Sequence, residues 1–210
     1  MRTTLVLAAS ALLACGPAEG AAPRAQSVET AGPQAPAVVS AAVSAARHGS
    51  SLEKSFADFT SGMVVPTALS GGSLSREVLV RRFLRAVQWR DTADIRAMVL
   101  DRAEFAHLYY PSSPYTRPPT VQAAPLAWFL LLRNSEKGIT RVFNRFGGQH
   151  LEYVSHHCDA QPSTEGKNLF WEDCTVDVNV PAEGIVRRKL FGSILERDGR
   201  FKFLSYANDY

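Results

Sequence analysis

Between Asn168 and Tyr206 the chain alternates apolar and polar positions, and turn residues divide the alternation into separate runs. A period of two with one apolar face is how antiparallel strands read. The pattern predicts strands over His150–Cys158, Leu169–Val180, Ile185–Glu196 and Arg200–Tyr206. Arg197-Asp198-Gly199-Arg200 places Asp-Gly at the centre of a two-residue turn, the strongest hairpin signal in the chain.

Upstream the period changes to that of a helix. Val78, Leu79, Phe83, Leu84 and Val87 form an apolar stripe behind Ser73 or Ser75, either of which can cap it. Asp91 caps a second short helix with Ile95, Met98 and Val99, and Asp101 with Glu104 has the spacing of a capping box. Phe105 to Pro111 suits either a helical turn or a strand. Pro111 to Pro119 reads as a loop, and Leu126 to Leu132 as a buried helix. Asn134-Ser135 restarts the chain, and Ile139, Val142, Phe143 and Phe146 mark a further helix stopped by Gly147-Gly148. Ser51 to Asp58 reads as a short helix and Thr60 to Gly72 as irregular. Helices followed by a strand meander define an α+β domain over residues 51–210.

The 210 residues are 46% apolar and 20% charged, the composition of a globular protein. A net charge of +3 without a Lys/Arg block gives no footprint for nucleic acid.

The first residues read as an address. Met1-Arg2 precedes an apolar run from Leu5 to Ala14, too short to span a bilayer as a mature helix. An ordinary secretory peptide fits that pattern. The order Leu12-Leu13-Ala14-Cys15 further resembles the lipobox of bacterial lipoproteins. The resemblance implies removal of residues 1–14, acylation of Cys15, and a protein held on a membrane of the bacterial cell envelope, on the periplasmic or surface face of the outer membrane. Several acyl chains make such an anchor stable. Residues 15–50 then follow as an Ala/Pro-rich tether without an aromatic residue.

With Cys15 acylated, Cys158 and Cys174 remain as an even pair in an oxidising compartment. Placed opposite each other in a hairpin, they set His157 against Thr175, His156 against Val176, Ser155 against Asp177, Val154 against Val178 and Tyr153 against Asn179. One face is then largely apolar and the other polar, as a correct register requires. Two separate buried thiols are the alternative. The connection from Asp159 to Lys167 is rich in turn residues.

A helix pair at Arg76–Met98 and a closing hairpin at Gly192–Tyr206 resemble the nuclear transport factor two-like fold, over roughly Leu74 to Tyr210. That resemblance implies helices packed on a curved antiparallel sheet of about four to six strands, around a cone-shaped pocket. The family includes isomerases, dehydratases and members that only bind or dimerise, so the fold leaves function open.

Candidate chemistry is sparse. His107, Tyr109, Tyr110 and His156 are the residues that a pocket would use. Glu104, His107 and Tyr110 recur at spacings of three, which suits an acid/base cluster on a helix. Tyr109, Tyr110 and Tyr115 beside the proline-rich loop suit a binding rim. His156 is the best single base, yet its neighbours in the register are apolar or oxidised, so it is expected to pack rather than catalyse. The chain has no phosphate loop, nucleophile elbow, Cys-x-x-Cys or zinc-protease signature, and implies neither metal nor cofactor. Two readings result. One is a membrane-tethered domain that binds a small molecule or an envelope protein through no catalysis. The other is a small hydrolyase or isomerase with a pocket histidine as base.

Overall fold

The computed structural model describes residues 37–181 and 183–208, and of residues 37–48 the backbone alone. Cys15 and the segment before it lie outside the described residues. Five helices lead: α1 (Ala37–Thr60), α2 (Arg76–Trp89), α3 (Thr92–Ala97), the single turn α4 (Arg102–Glu104) and α5 (Ala124–Phe146). Seven strands follow: β1 (Glu152–His157), β2 (Ser163–Glu165), β3 (Asn168–Trp171), β4 (Thr175–Val180), β5 (Gly184–Arg188), β6 (Ile194–Arg197) and β7 (Arg200–Phe203). The protein is α+β, with helices against two antiparallel sheets.

Local signals account for most helix boundaries. The Ser75 hydroxyl accepts from Val78 N, the Asp91 carboxylate accepts from Asp94 N, and Asp101 with Glu104 forms a complete capping box. Phe105–Tyr109 continues as a wide π-type turn. Pro111, which has no N–H to donate, follows, and the chain tightens into 3₁₀ turns. Helix α1 (Ala37–Thr60) takes in part of the segment read as tether, where alanine-rich sequence has high helix propensity.

Three expectations are corrected. First, the two longest strand runs each break in two. Asp173 adopts a left-handed conformation (φ 46°) between β3 and β4. Leu190 and Phe191, adjacent and both buried, interrupt β5 and β6, because neighbours on one strand must face opposite sides. The expected single meander is therefore divided into sheets ordered β1-β4-β5 and β2-β3-β6-β7. The turn-rich connection after Cys158 also contributes β2, which pairs with β3.

Second, the β1–β4 register holds at His157–Thr175, His156–Val176 and Ser155–Asp177, and Cys158 is disulfide-bonded to Cys174. It then slips by one. Val154 forms a bulge, so Tyr153 lies opposite Val178 and Glu152 opposite Asn179. The bulge puts Tyr153 and His156 on one face. There the Tyr153 ring lies under the Arg81 guanidinium of α2, 4.0 Å from its centre.

Third, Leu126–Leu132 and Ile139–Phe146 belong to one helix, and its first half is not buried all round. Ala124 and Ala127 face the core, whereas Leu126, Phe129 and Leu130 remain 49%, 53% and 43% exposed. An apolar run covers every side of a helix, and only one side here meets the domain. Ser135 does not interrupt it, because its buried hydroxyl accepts from Tyr206 N at 3.0 Å.

Helix α2 supplies the centre of the main core. Phe83 is surrounded by Phe191, Phe203 and Tyr206, with ring centres 5.5, 5.4 and 5.5 Å away. Both sheets reach this cluster, through Val176 and Val178 on β4 and through Ile194 and Phe203 on β6 and β7. The opposite face of the four-stranded sheet packs Phe170 and Leu195 against Phe59, Phe105 and Tyr109. That sheet is thus covered on both sides, while the three-stranded sheet turns a polar face outward.

Candidate functional site

Helices α3 and α5 leave a groove of about 480 Å³ between them. From α3 and the residues after it come Ile95, Arg96 and Val99; from α5 come Leu132, Ile139, Thr140 and Phe143; Tyr206 lies beneath. These α5 positions recur every three or four residues, so they form one stripe along the helix. The stripe lies beside the face that packs on the core through Ser135, Gly138, Val142 and Phe146.

The floor is held rigidly. Tyr206 is 1% exposed, and its hydroxyl donates to the Ile95 carbonyl at 2.7 Å. Burial holds the phenol well above its ordinary pKa, so it remains a neutral donor. Asn208 Nδ2 donates to Gly138 O at 3.0 Å and fastens the C-terminal segment across α5. Apolar side chains line most of the groove, with Arg96 and Glu136 as the charged groups at its rim. Such a surface suits an apolar body with a polar end. It does not bring two titratable groups onto one buried reacting centre.

The four residues expected at a pocket fall in two places. His107, Tyr109 and Tyr110 sit together on the far side of the four-stranded sheet. Phe56 of α1 stacks on Tyr110 at 5.5 Å and meets His107 edge-on at 6.4 Å. Tyr110 donates to Gln122 O at 2.7 Å, and Tyr109 packs against Phe105, Tyr115 and Phe170. Burial raises the Tyr109 phenol well above its ordinary pKa, and Tyr115 and Glu165 push it the same way. His107 Nε2 is enclosed without a hydrogen-bond partner among the described residues. Glu104 does not join His107; its carboxylate turns to Ser70, Asp101 N and Lys202.

His156 is elsewhere, between β1 and α2. Its Nδ1 shares a hydrogen bond of 2.8 Å with the Tyr153 hydroxyl. Burial lowers its pKa from the ordinary 6.5, and Arg76 reinforces the shift. Arg76 itself lies 3.7 Å over the Trp171 ring.

The outward face of the three-stranded sheet holds Ser155, His157 and Asp177, the residue types of a hydrolase triad. Their bonding differs from one. Ser155 Oγ donates to Asp177 Oδ2 at 2.7 Å, and His157 Nε2 alone faces both partners, each at 3.2 Å. A triad histidine uses one nitrogen for the serine and the other for the carboxylate. Here Arg187 grips Asp177 through two bonds of 2.7 and 2.9 Å. Arg187, with Ser155 second, holds the Asp177 carboxyl well below the usual carboxylate range. The group is a cross-strand polar ladder.

A smaller cleft of about 270 Å³ beside the disulfide is lined by Asp159, Glu172, Asp173 and Lys189, with Lys189 Nζ 3.2 Å from Asp173. Among the described residues no group of three ligating side chains is placed to hold a metal.

Sequence periodicity marks Ile95, Ile139 and Phe143 as apolar stripe residues, but it does not pair α3 with α5. Tyr206 reads as the end of a strand rather than as a groove floor. Comparison with family models, curated proteins and solved structures yields no match for this chain.

Proposed function

We propose that this chain is a lipid-anchored protein of a bacterial cell envelope. Its domain binds an apolar small molecule, or an apolar segment of an envelope protein, without catalysing a reaction. The groove between α3 and α5 carries this reading, because its lining suits retention better than proton transfer. The Leu12-Leu13-Ala14-Cys15 order supports the anchor. The Cys158–Cys174 disulfide supports an oxidising compartment. We read the two sheets as halves of one curved meander, the arrangement that the resemblance to the nuclear transport factor two-like fold implies. The shared core around Phe83 supports that view.

Two experiments test the proposal. Acyl labelling of cells that express the chain is expected to place lipid on Cys15 and to fail for Cys15→Ser; a soluble, unlabelled wild type would contradict the anchor. Titration with the fluorescent probe anilinonaphthalene sulfonate is expected to saturate one site. Leu132→Asp, at the open edge of the groove, should weaken that site roughly ten-fold, about 1.4 kcal/mol. Equal binding by both proteins would contradict the groove.

A further inference from the structure

Helix α5 carries a second surface that the groove does not use. Leu126, Phe129 and Leu130 lie on one exposed face of its N-terminal half. Continuing by threes and fours, Arg133, Lys137 and Arg141 occupy the same face of its C-terminal half. The Arg133 guanidinium lies 5.8 Å from the Phe129 ring centre, so the two halves meet. Phe129, Leu130, Arg133, Lys137 and Arg141 line one shallow depression on this side of the helix.

We infer that this face of α5 seats the domain on an anionic phospholipid surface. Leucine and phenylalanine side chains followed by arginine and lysine are the composition of a helix lying in a membrane interface. The rings and branched chains enter the acyl boundary, and the long basic side chains reach the phosphates. No helix among the described residues is long and apolar enough to cross a membrane, so the contact is peripheral.

Two observations favour a bilayer over a second copy of the chain. The apolar part of this face is three side chains, Leu126, Phe129 and Leu130, a small patch for a stable interface between two proteins. A twofold pairing that buries the basic half of this face would set Arg133 and Lys137 against the same residues of the second copy, with like charges opposed. The inference rests on the lipid-anchor reading for the presence of a membrane, and on the α5 face alone for the contact.

Bromolipid quenching of full-length protein in phosphatidylglycerol vesicles tests it. Phe129→Trp introduces a reporter on the face, and Ile185→Trp introduces one on exposed β5 as the control, each read as the difference from the wild-type emission of Trp89, Trp128 and Trp171. We expect brominated chains to quench the Phe129→Trp emission by roughly two-fold and to leave the Ile185→Trp emission unchanged. Adding Arg133→Gln and Lys137→Gln, or replacing phosphatidylglycerol by phosphatidylcholine, should abolish the quenching. Equal quenching of both reporters, or of neither, would overturn the proposal. So would concentration-dependent self-association lost in Phe129→Ser without any quenching. Acyl labelling is read separately. A labelled Cys15 with an unquenched face defeats this inference and leaves the anchor. A quenched face with an unlabelled Cys15 does the reverse.

Discussion

Lys202 Nζ lies 2.7 Å from Glu104 Oε2, and both side chains are shut off from water at 1% residue exposure. Glu104 has no free oxygen. Ser70 N and Oγ donate to Oε1 at 2.6 and 3.0 Å, and Asp101 N donates to Oε2 at 3.0 Å. One carboxylate thus ties the 61–75 loop, the α4 capping box and strand β7. Removing one partner of a buried pair strands a charge, which costs about 3–5 kcal/mol. Lys202→Met is expected to lower unfolding stability by that amount in denaturant titration. The double variant Lys202→Met/Glu104→Gln should lose less than the two single losses combined, because neither charge is then left alone.

Gly138 is fixed by contact with Tyr206. A Cβ on Gly138 would lie 1.7 Å from the Tyr206 carbonyl oxygen, closer than any pair of unbonded atoms. Gly138→Ala must push the C-terminal segment off α5, although alanine ordinarily favours a helix. The expected outcome is a loss of at least about 1–3 kcal/mol, seen as a lower Tm. Loss of the groove floor should also reduce anilinonaphthalene sulfonate binding.

His156 should matter for stability and not for binding. Its folded pKa lies below the ordinary 6.5, through burial and then Arg76, opposed by Glu77. The folded state therefore binds fewer protons than the unfolded chain just below that value. Its neutral form favours folding above pH 6.5, and that advantage is lost as pH falls from there through the folded pKa. A stability–pH curve of His156→Ala is expected to fall less steeply below pH 6.5 than the wild-type curve. Probe affinity should be unchanged.

The disulfide closes a sixteen-residue separation. In the chain-entropy model a loop of that size is worth about 3 kcal/mol. Cys158→Ala/Cys174→Ala should lower stability by about that amount while leaving the fold recognisable by circular dichroism.

Much of the fold was legible because local rules act alone at those positions. Ser75, Asp91 and the Asp101/Glu104 box announced their helices, and Asp198-Gly199 its turn; both turn residues take the positive φ expected there. The cysteine pair gave the β1–β4 register at its closed end. The bulge at Val154 was not legible, because it turns Tyr153 toward Arg81 of another element, a partner that the pairing pattern of β1 and β4 alone does not show. Nor was the break between β5 and β6, where Leu190 and Phe191 extend the apolar run while turning into the core. The candidate site was hardest to read. Its stripe on α5 was visible, but its floor depends on the close contact between Gly138 and Tyr206, two residues far apart in the chain.

The groove between α3 and α5 is tested by finding where an apolar probe settles on the folded protein. Backbone amide shifts of the isotope-labelled chain, followed during addition of anilinonaphthalene sulfonate, report that position residue by residue. Shifts are expected to saturate together at Ile95, Val99, Ile139 and Phe143. Shifts centred instead on His107, Tyr109 and Tyr110, or spread without a common saturation, would contradict it.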